Sequence, residues 1–233
     1  RIALSYDGDL KAAAGYTEHA LTLDPTNIGV IDNAAALALG LGRLDVAIAL
    51  YDYLLVRDPV SSGDHHNLGY AYLCAGHLDD AISSLRTALS MAPGAAGFHM
   101  HLGEALLVKG DYPGALAAIE KEPAEGWRMI GLPMAYYSLG RQAESDAALA
   151  ELIRTSEKDW AYNIAEVLAY RGESNRAFEW LDKAIAYHDP GVTEVNIDPL
   201  MGNLHKDPRW LPFLRKIGKA PEQLAKIKFD VNL

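Results

Sequence analysis

Glycines at one recurring phase divide this chain into units of nearly constant length. The series is Gly8, Gly42, Gly76, Gly110, Gly140 and Gly172. Its first three intervals are 34 residues long, and the last two shorten to 30 and 32. A fixed period of this size is typical of a supersecondary unit that stacks on copies of itself. The spacing therefore predicts a repeat array, in which a functional surface is shared between neighbouring units.

The residues around each glycine predict pairs of closely packed helices. Five residues after the glycines stand only small side chains, namely Ala13, Ala47, Ala81, Ala115, Ser145 and Ala177. Small side chains are needed where two helices cross, because the backbones approach closely there. Seventeen residues after the first three glycines stand Pro25, Pro59 and Pro93, which cannot continue a helix interior. Each unit is predicted to read helix, turn, helix, turn, and the fold class is all-α.

One unit carries a known signature almost completely. Its run 67–72, Asn-Leu-Gly-Tyr-Ala-Tyr, is followed at fixed spacings by Gly76, Ala81 and Pro93. This pattern resembles the tetratricopeptide repeat, and similar patterns cover half a repeat and five further repeats. The resemblance implies a right-handed α-solenoid of antiparallel helix pairs. We expect the array over residues 1–191, and capping helices with a basic tail over residues 192–233.

The unit that contains Gly110 departs from this pattern. Glu122 and Pro123 stand where its second helix would still be running in the other units. Proline removes a helix hydrogen bond and clashes with the preceding turn. We therefore predict a shortened helix and a local change in curvature over residues 121–127. Trp127 lies at this break, where we expect the binding specificity to reside.

A second, narrower resemblance concerns the later part of the chain. The segments 120–127, 139–144, 165–181 and 207–218 are similar to the repeat region at the C-terminal end of bacterial multidomain signalling proteins. In those relatives the array follows a nucleotide cyclase or a winged-helix domain, and neither domain is present in this sequence. The resemblance implies a regulatory or interaction module of a larger bacterial protein, and we expect further residues upstream.

The charge of the chain is divided unevenly. Residues 199–233 hold seven lysines or arginines against three acids, whereas the remainder holds 14 basic and 28 acidic residues. An acidic body repels phosphates, so nucleic-acid binding is not expected. The basic tail is interpreted either as a solvated terminal helix or as a segment that lies against the acidic array or an acidic partner. No apolar run approaches the roughly 18 to 20 residues that span a bilayer, so membrane insertion is not expected.

The sequence carries no recognised catalytic or metal-binding pattern. The single cysteine, Cys74, excludes a disulfide within the chain and a multi-cysteine metal site, and it is interpreted as a packing residue. His65 and His66 are adjacent, and neighbouring positions on a helix diverge by about 100°. No phosphate-binding loop, nucleophile elbow or zinc-binding helix motif occurs. We predict no catalytic residue, no metal site and no cofactor.

The remaining candidate is the concave groove that the first helices line in tetratricopeptide repeat arrays. The resemblance implies that residues ten, nine and six before each glycine point into it, and Trp127 adds the position at the break. From these we select Asp32, Asn33, His66, Asn67, Tyr70, Met100, His101, Glu104, Trp127, Met134, Tyr162, Asn163 and Glu166. The asparagines can both donate to and accept from an extended peptide backbone. We predict a protein or peptide ligand that is neutral to basic or aromatic.

Both ends of the array are also considered. Trp210, Phe213, Leu214 and Ile217 fall at helical spacing and are predicted to cover the last repeat. The half repeat at residues 1–7 leaves an apolar end, so self-assembly into a homodimer through this face is one alternative function. A small-ligand-binding or enzymatic role is the other. The cellular compartment stays open between cytoplasm and periplasm.

Overall fold

The structure is a computed structural model that describes residues 10–231, and its regular secondary structure there is entirely helical. The α-helices are α1 (Leu10–Leu23), α2 (Ile28–Gly40), α3 (Leu44–Arg57), α4 (Ser62–Ala75), α5 (Leu78–Met91), α6 (Phe98–Lys109), α7 (Tyr112–Ile119), α8 (Glu125–Ser138), α9 (Gln142–Ser156), α10 (Ala161–Tyr170), α11 (Ser174–Tyr187), α12 (Trp210–Lys216) and α13 (Pro221–Leu224). Two 3₁₀ helices, Pro190–Glu194 and Pro199–Leu204, lie between α11 and α12. The all-α prediction is confirmed.

Helices α2 to α11 form five consecutive pairs, and α1 is the second helix of the preceding half repeat. The pairs are α2/α3, α4/α5, α6/α7, α8/α9 and α10/α11. Gly76 and Gly110 end the first helices of their pairs in the left-handed conformation, with φ of 78° and 88°. Glycine adopts this conformation without the steric cost of a Cβ atom, which explains the ladder. Gly8 lies outside the described residues.

Close crossings within a pair depend on small residues, as predicted. Ala81 is completely buried. A Cβ atom added to Gly69 would lie 2.6 Å from Leu85 Cγ, and one added to Gly103 would lie 2.4 Å from Ile119 Cγ1. Neither position could carry a larger side chain without moving the helices apart.

The predicted shortening of the second helix before Pro123 is confirmed in α7. Helix α7 has eight residues, whereas α3, α5 and α11 have fourteen each. Glu122, which follows it, is buried, and its carboxylate accepts hydrogen bonds from the backbone N–H groups of Gly97 (3.0 Å) and Met100 (3.2 Å). The shortened helix therefore places a carboxylate at the start of α6, where unpaired backbone donors need an acceptor.

The first helices form the inner, concave layer of the array. Helix α6 contacts both α4 and α8, and α8 contacts α10. A solenoid curves toward the layer whose elements pack most closely. The groove is therefore lined by α2, α4, α6, α8 and α10.

Residues 189–231, hereafter the strap, begin at the last repeat and return to the first. The two 3₁₀ helices of the strap contact the first helices α2, α6 and α10, so this part lies on the concave face. Helix α12 then covers α11, with the rings of Phe178 and Phe213 6.2 Å apart. The final part packs on the first repeat through Leu224 and Phe229, which join the apolar cluster of Leu10 and Leu50.

The basic end of the chain thus lies against the array, one of the two alternatives that the charge pattern left open. It is attached through Lys216, which donates to Asp182, through Lys219, which donates to the Gly40 carbonyl, and through its own backbone. The Arg43 guanidinium donates to the carbonyl oxygens of Ile227 and Phe229. The N–H of Asp230 donates to Glu18 Oε1 at 3.0 Å.

Candidate binding groove

The predicted groove residues divide into a half-buried set and a buried set. The half-buried set is Asp32, Asn33, His66, Asn67, Tyr70, His101, Trp127 and Asn163. The buried set is Met100, Glu104, Met134, Tyr162 and Glu166. The structure therefore places eight of the thirteen selected residues where a partner could touch them directly.

Met100 and Met134 belong to the core and offer no surface. Both side chains are fully buried. A Cβ atom on Gly131 would lie 2.6 Å from Met100 Sδ, so Met100 fills the space that this glycine leaves on α8. The sequence interpretation assumed that positions at the same distance before each glycine face the groove in every repeat. Helix α8 follows the shortened α7 and packs differently, so the assumption fails here.

The asparagines use part of their hydrogen-bonding capacity within their own helices. Asn33 Nδ2 donates to the Gly29 carbonyl at 2.8 Å, and Asn163 Nδ2 donates to Glu166 Oε2 at 2.9 Å. Their amide oxygens are acceptors that these two bonds leave unused.

Five rings form a continuous aromatic stripe along the groove across four repeats. The stripe consists of His66, Phe98, His101, Trp127 and Trp160, all half-buried. Phe98 stacks on His66 with centroids 4.1 Å apart, and His66 stacks on His101 at 4.8 Å. Trp127 then meets His101 edge-on at 5.7 Å and Trp160 at 5.2 Å. Such contacts hold the rings in place and leave part of each exposed.

Two members of the stripe, Phe98 and Trp160, were missed by the sequence analysis. Each stands twelve residues before the glycine of its repeat, Gly110 or Gly172. This shared phase is the signal that could have found them. Both lie at the start of a first helix, one turn before the positions that were considered.

The two histidines of the stripe form a neutral pair. His66 Nε2 and His101 Nδ1 are 2.7 Å apart, so one ring donates a hydrogen bond to the other. Burial lowers the pKa of His66 to about 4 and that of His101 well below its usual value. Among residues 10–231, no group of three potential ligands is arranged to hold a metal ion.

Beside the stripe lies an acidic cluster of four carboxylates, Glu104 on α6, Glu166 on α10, and Glu194 and Asp198 on the strap. Burial raises the pKa of Glu104 and of Glu166 well above the usual range, and the neighbouring Asp198 raises both further. Burial also raises the pKa of Asp198 to about 6. Burial is the main cause of these shifts, and it favours the protonated, neutral form of the carboxyl groups.

The strap fills part of the predicted groove. Tyr162 is only 3% exposed because Gly191 lies over its ring, where a Cβ atom would be 2.5 Å from Tyr162 Cδ1. The Tyr162 hydroxyl donates to Asp198 Oδ2 at 2.6 Å, and its backbone N–H donates to Asp189 Oδ2 at 2.9 Å. At the other side of the groove, Lys219 Nζ donates to the carbonyl of Gly40 at 3.1 Å. The residues of the aromatic stripe keep part of their surface exposed.

Comparisons with known proteins establish the fold. A profile of the tetratricopeptide repeat family matches residues 66–128. A tetratricopeptide repeat protein from Parabacteroides merdae is similar over 84% of this chain and 78% of its own, with 18% identity and a TM-score of 0.64. A thermophilic tetratricopeptide repeat protein from Thermus thermophilus is similar over 78% of this chain and 90% of its own, with 24% identity and a TM-score of 0.59. Among curated proteins, no sequence matches.

The predicted tetratricopeptide repeat solenoid is therefore confirmed as the fold. Within the part of the chain that the structure describes, no helix combines the length and apolarity needed to cross a membrane.

Proposed function

We propose that this chain is a non-catalytic interaction module that holds a segment of a partner protein in its concave groove. The observation that carries the proposal is the aromatic stripe, which presents partly exposed rings across four successive repeats. Aromatic side chains supply large contact areas and lose little conformational entropy on binding. Rings that served only the core would be buried, as those of Tyr51 and Phe229 are.

The contact surface extends from the stripe to polar residues of the first, second and fifth repeats. The residues that we assign to it are Asp32, Asn33, His66, Asn67, Tyr70, Phe98, His101, Trp127, Trp160 and Asn163. The polar members suit the backbone of an extended segment, because amide and hydroxyl groups both donate and accept. Trp127 lies in the stripe between His101 and Trp160 and beside the shortened α7, so we assign the specificity to this region.

The partner is neutral to basic, with aromatic or basic side chains. The acidic cluster borders the stripe, and the body of the chain before residue 199 carries twice as many acidic as basic residues. Such a surface attracts cations and repels nucleic acid. We further propose a regulatory setting, in which the groove reports partner binding to a larger protein.

Peptide selection tests the proposal. Random peptides displayed on phage are selected on the immobilised chain, and the affinities of the selected peptides are measured by calorimetry. Trp127→Ala and Trp160→Ala are expected to weaken binding by about tenfold or more, since central aromatic contacts dominate interfaces. Tyr112→Ala, at the exposed start of α7, is the matched control. Equal affinities of all these variants would rule out the stripe as the binding surface.

Self-association is a second candidate function. It is favoured by exposed apolar residues on α1 and at the start of α2, at the N-terminal end of the array. Tyr16 and Leu23 of α1 are 72% and 74% exposed, and Ile28 at the start of α2 is 53% exposed. Isolated exposed apolar residues are common, but a group at one end of a solenoid is typical of a stacking face. Light scattering over a range of concentrations tests this candidate, with Leu23→Lys as the variant. A chain that stays monomeric throughout excludes it. Residues 1–7, where this face was predicted to begin, lie outside the described residues.

A further inference from the structure

Glu104 is a buried carboxylate without a hydrogen-bond donor in the described part of the chain. The residue is only 5% exposed. Its nearest basic nitrogen is His101 Nε2, which lies 4.0 Å from Glu104 Oε2, too far for a hydrogen bond. The oxygen atoms of Glu104 are nevertheless not among the fully enclosed polar atoms that lack a partner, so a donor from a ligand can reach them. Glu104 therefore marks a position where a ligand's donor fits.

The other three carboxylates of the acidic cluster each have a donor. Tyr70 donates to Glu194 at 2.8 Å, Tyr162 donates to Asp198 at 2.6 Å, and Asn163 donates to Glu166 at 2.9 Å. All three donors are neutral side chains. They therefore supply hydrogen bonds to the carboxyl oxygens but no positive charge.

The nearest buried cation, Lys219, makes no hydrogen bond to the acidic cluster, although its charge opposes the rise in the pKa of Glu194 that burial causes. The ammonium group of Lys219 donates to the carbonyl oxygens of Gly40 and Thr193, at 3.1 and 2.6 Å. No described residue donates from a positively charged group to Glu104, Glu166, Glu194 or Asp198. The cluster therefore carries more carboxylates than cations.

Aromatic rings border Glu104 on the accessible side. His101, one helical turn before it on α6, contacts the ring of Tyr70 at 4.7 Å and that of Trp127 at 5.7 Å. A carboxylate next to aromatic faces is a combination that binds organic cations, since the charge pairs with the carboxylate and the flat group stacks on the rings.

We propose that Glu104 receives a guanidinium group of the bound partner segment, and that Tyr70, His101 and Trp127 flank this group. Guanidinium fits better than ammonium because its planar fork can donate two hydrogen bonds to one carboxylate and stack on a ring at the same time. This inference rests on the proposed binding function and names an arginine side chain as the ligand's central feature. The same chemistry could be supplied by a free guanidinium compound.

The test compares arginine with its neutral isostere citrulline. Peptides selected on the wild-type chain are synthesised with arginine or citrulline at the same position, and their affinities are measured by calorimetry for the wild type, Glu104→Gln and the control Glu179→Gln. Glu179 is exposed on α11. We expect citrulline to weaken binding about tenfold or more to the wild type and to Glu179→Gln, and the difference to vanish in Glu104→Gln. A difference that persists in Glu104→Gln overturns the inference.

The remaining outcomes separate this inference from the proposed function. Selected peptides that bind through the stripe but tolerate citrulline overturn the guanidinium site and leave the binding function intact. If no displayed peptide binds, N-acetylargininamide is compared with N-acetylcitrullinamide by NMR on the wild-type chain. Shifts of the Trp127 side-chain N–H signal with the former alone support the site for a free guanidinium compound and contradict the peptide-binding function. Equal responses to both compounds overturn the site, a result that does not depend on whether Glu104→Gln folds.

Discussion

The hydroxyl of Tyr70 donates a hydrogen bond to Oε2 of Glu194 at 2.8 Å, which joins two residues 124 positions apart. Tyr70 belongs to the second repeat, and Glu194 belongs to the strap that follows the fifth. In a simple solenoid each repeat contacts only its neighbours, and stability is a sum of local terms. Here the strap also links the last repeat to the first, so we expect the array to unfold more cooperatively than an open solenoid.

The packing of the strap against the last repeat can be tested at Gly191. A Cβ atom there would lie 2.5 Å from Tyr162 Cδ1, so Gly191→Ala is expected to displace the strap or the ring and to lower the free energy of unfolding by about 1 to 3 kcal/mol. Urea denaturation measures the change. Gly202→Ala, in the second 3₁₀ helix of the strap, is the matched control because nothing lies within 4 Å of its Cβ position. Equal losses in the two variants would contradict the packing argument.

Overpacking a helix crossing tests the small-residue ladder. Ala81 is fully buried at the crossing of α4 and α5, so Ala81→Leu is expected to cost about 1 to 3 kcal/mol of unfolding free energy. Ala49→Leu places the same side chain on an exposed position of α3 and is expected to have little effect. Chemical denaturation of both variants checks the prediction, and similar stabilities would show that the ladder does not mark close helix crossings.

The array could be predicted from the sequence because each of its determinants is local and repeated. A glycine such as Gly76 ends a helix by its own conformation, and a proline such as Pro123 shortens the preceding helix wherever it stands. The same local reasoning found Trp127 at the break. These features can be predicted without knowing which distant segments of the chain contact each other.

The strap and the acidic cluster could not be predicted in the same way. Their contacts join residues far apart in the chain, such as Tyr162 with Asp198 and Arg43 with Phe229, and the 3₁₀ turns that carry them show no repeat period. Glu104 was selected as a surface residue from its helical phase. Its burial follows from the strap that crosses the same face.

Burial of Lys219 predicts a pH-dependent stability. Desolvation lowers the pKa of its ammonium group to about 8, below the usual 10.5 of the unfolded chain. Between these values the unfolded state binds more protons, so stability rises with pH. At about 1.4 kcal/mol per pKa unit, the wild type should gain up to ~3 kcal/mol relative to Lys219→Met between pH 8 and 10.5. Urea titrations at several pH values check this, and parallel curves would contradict it.

Glu104→Gln is expected to stabilise the free chain at neutral pH while weakening the capture of a basic partner. Burial, then Asp198 and Glu194, raise the pKa of Glu104 well above its usual 4.5, so the folded state binds the extra proton and stability falls as pH rises from 4.5 toward the raised pKa. Glutamine does not ionise, so burying it does not lower the stability as the pH rises.

The difference between Glu104→Gln and the wild type should therefore be small at pH 4.5 and grow in favour of the variant up to pH 8. Thermal unfolding across this range measures the difference, with Glu179→Gln as the exposed control, for which no growing difference is expected. A variant that is less stable than the wild type at pH 8 would show that the Glu104 carboxylate already has a stabilising partner within the chain. Higher stability without a partner, combined with lost binding, is the trade-off typical of a residue kept for function rather than for folding.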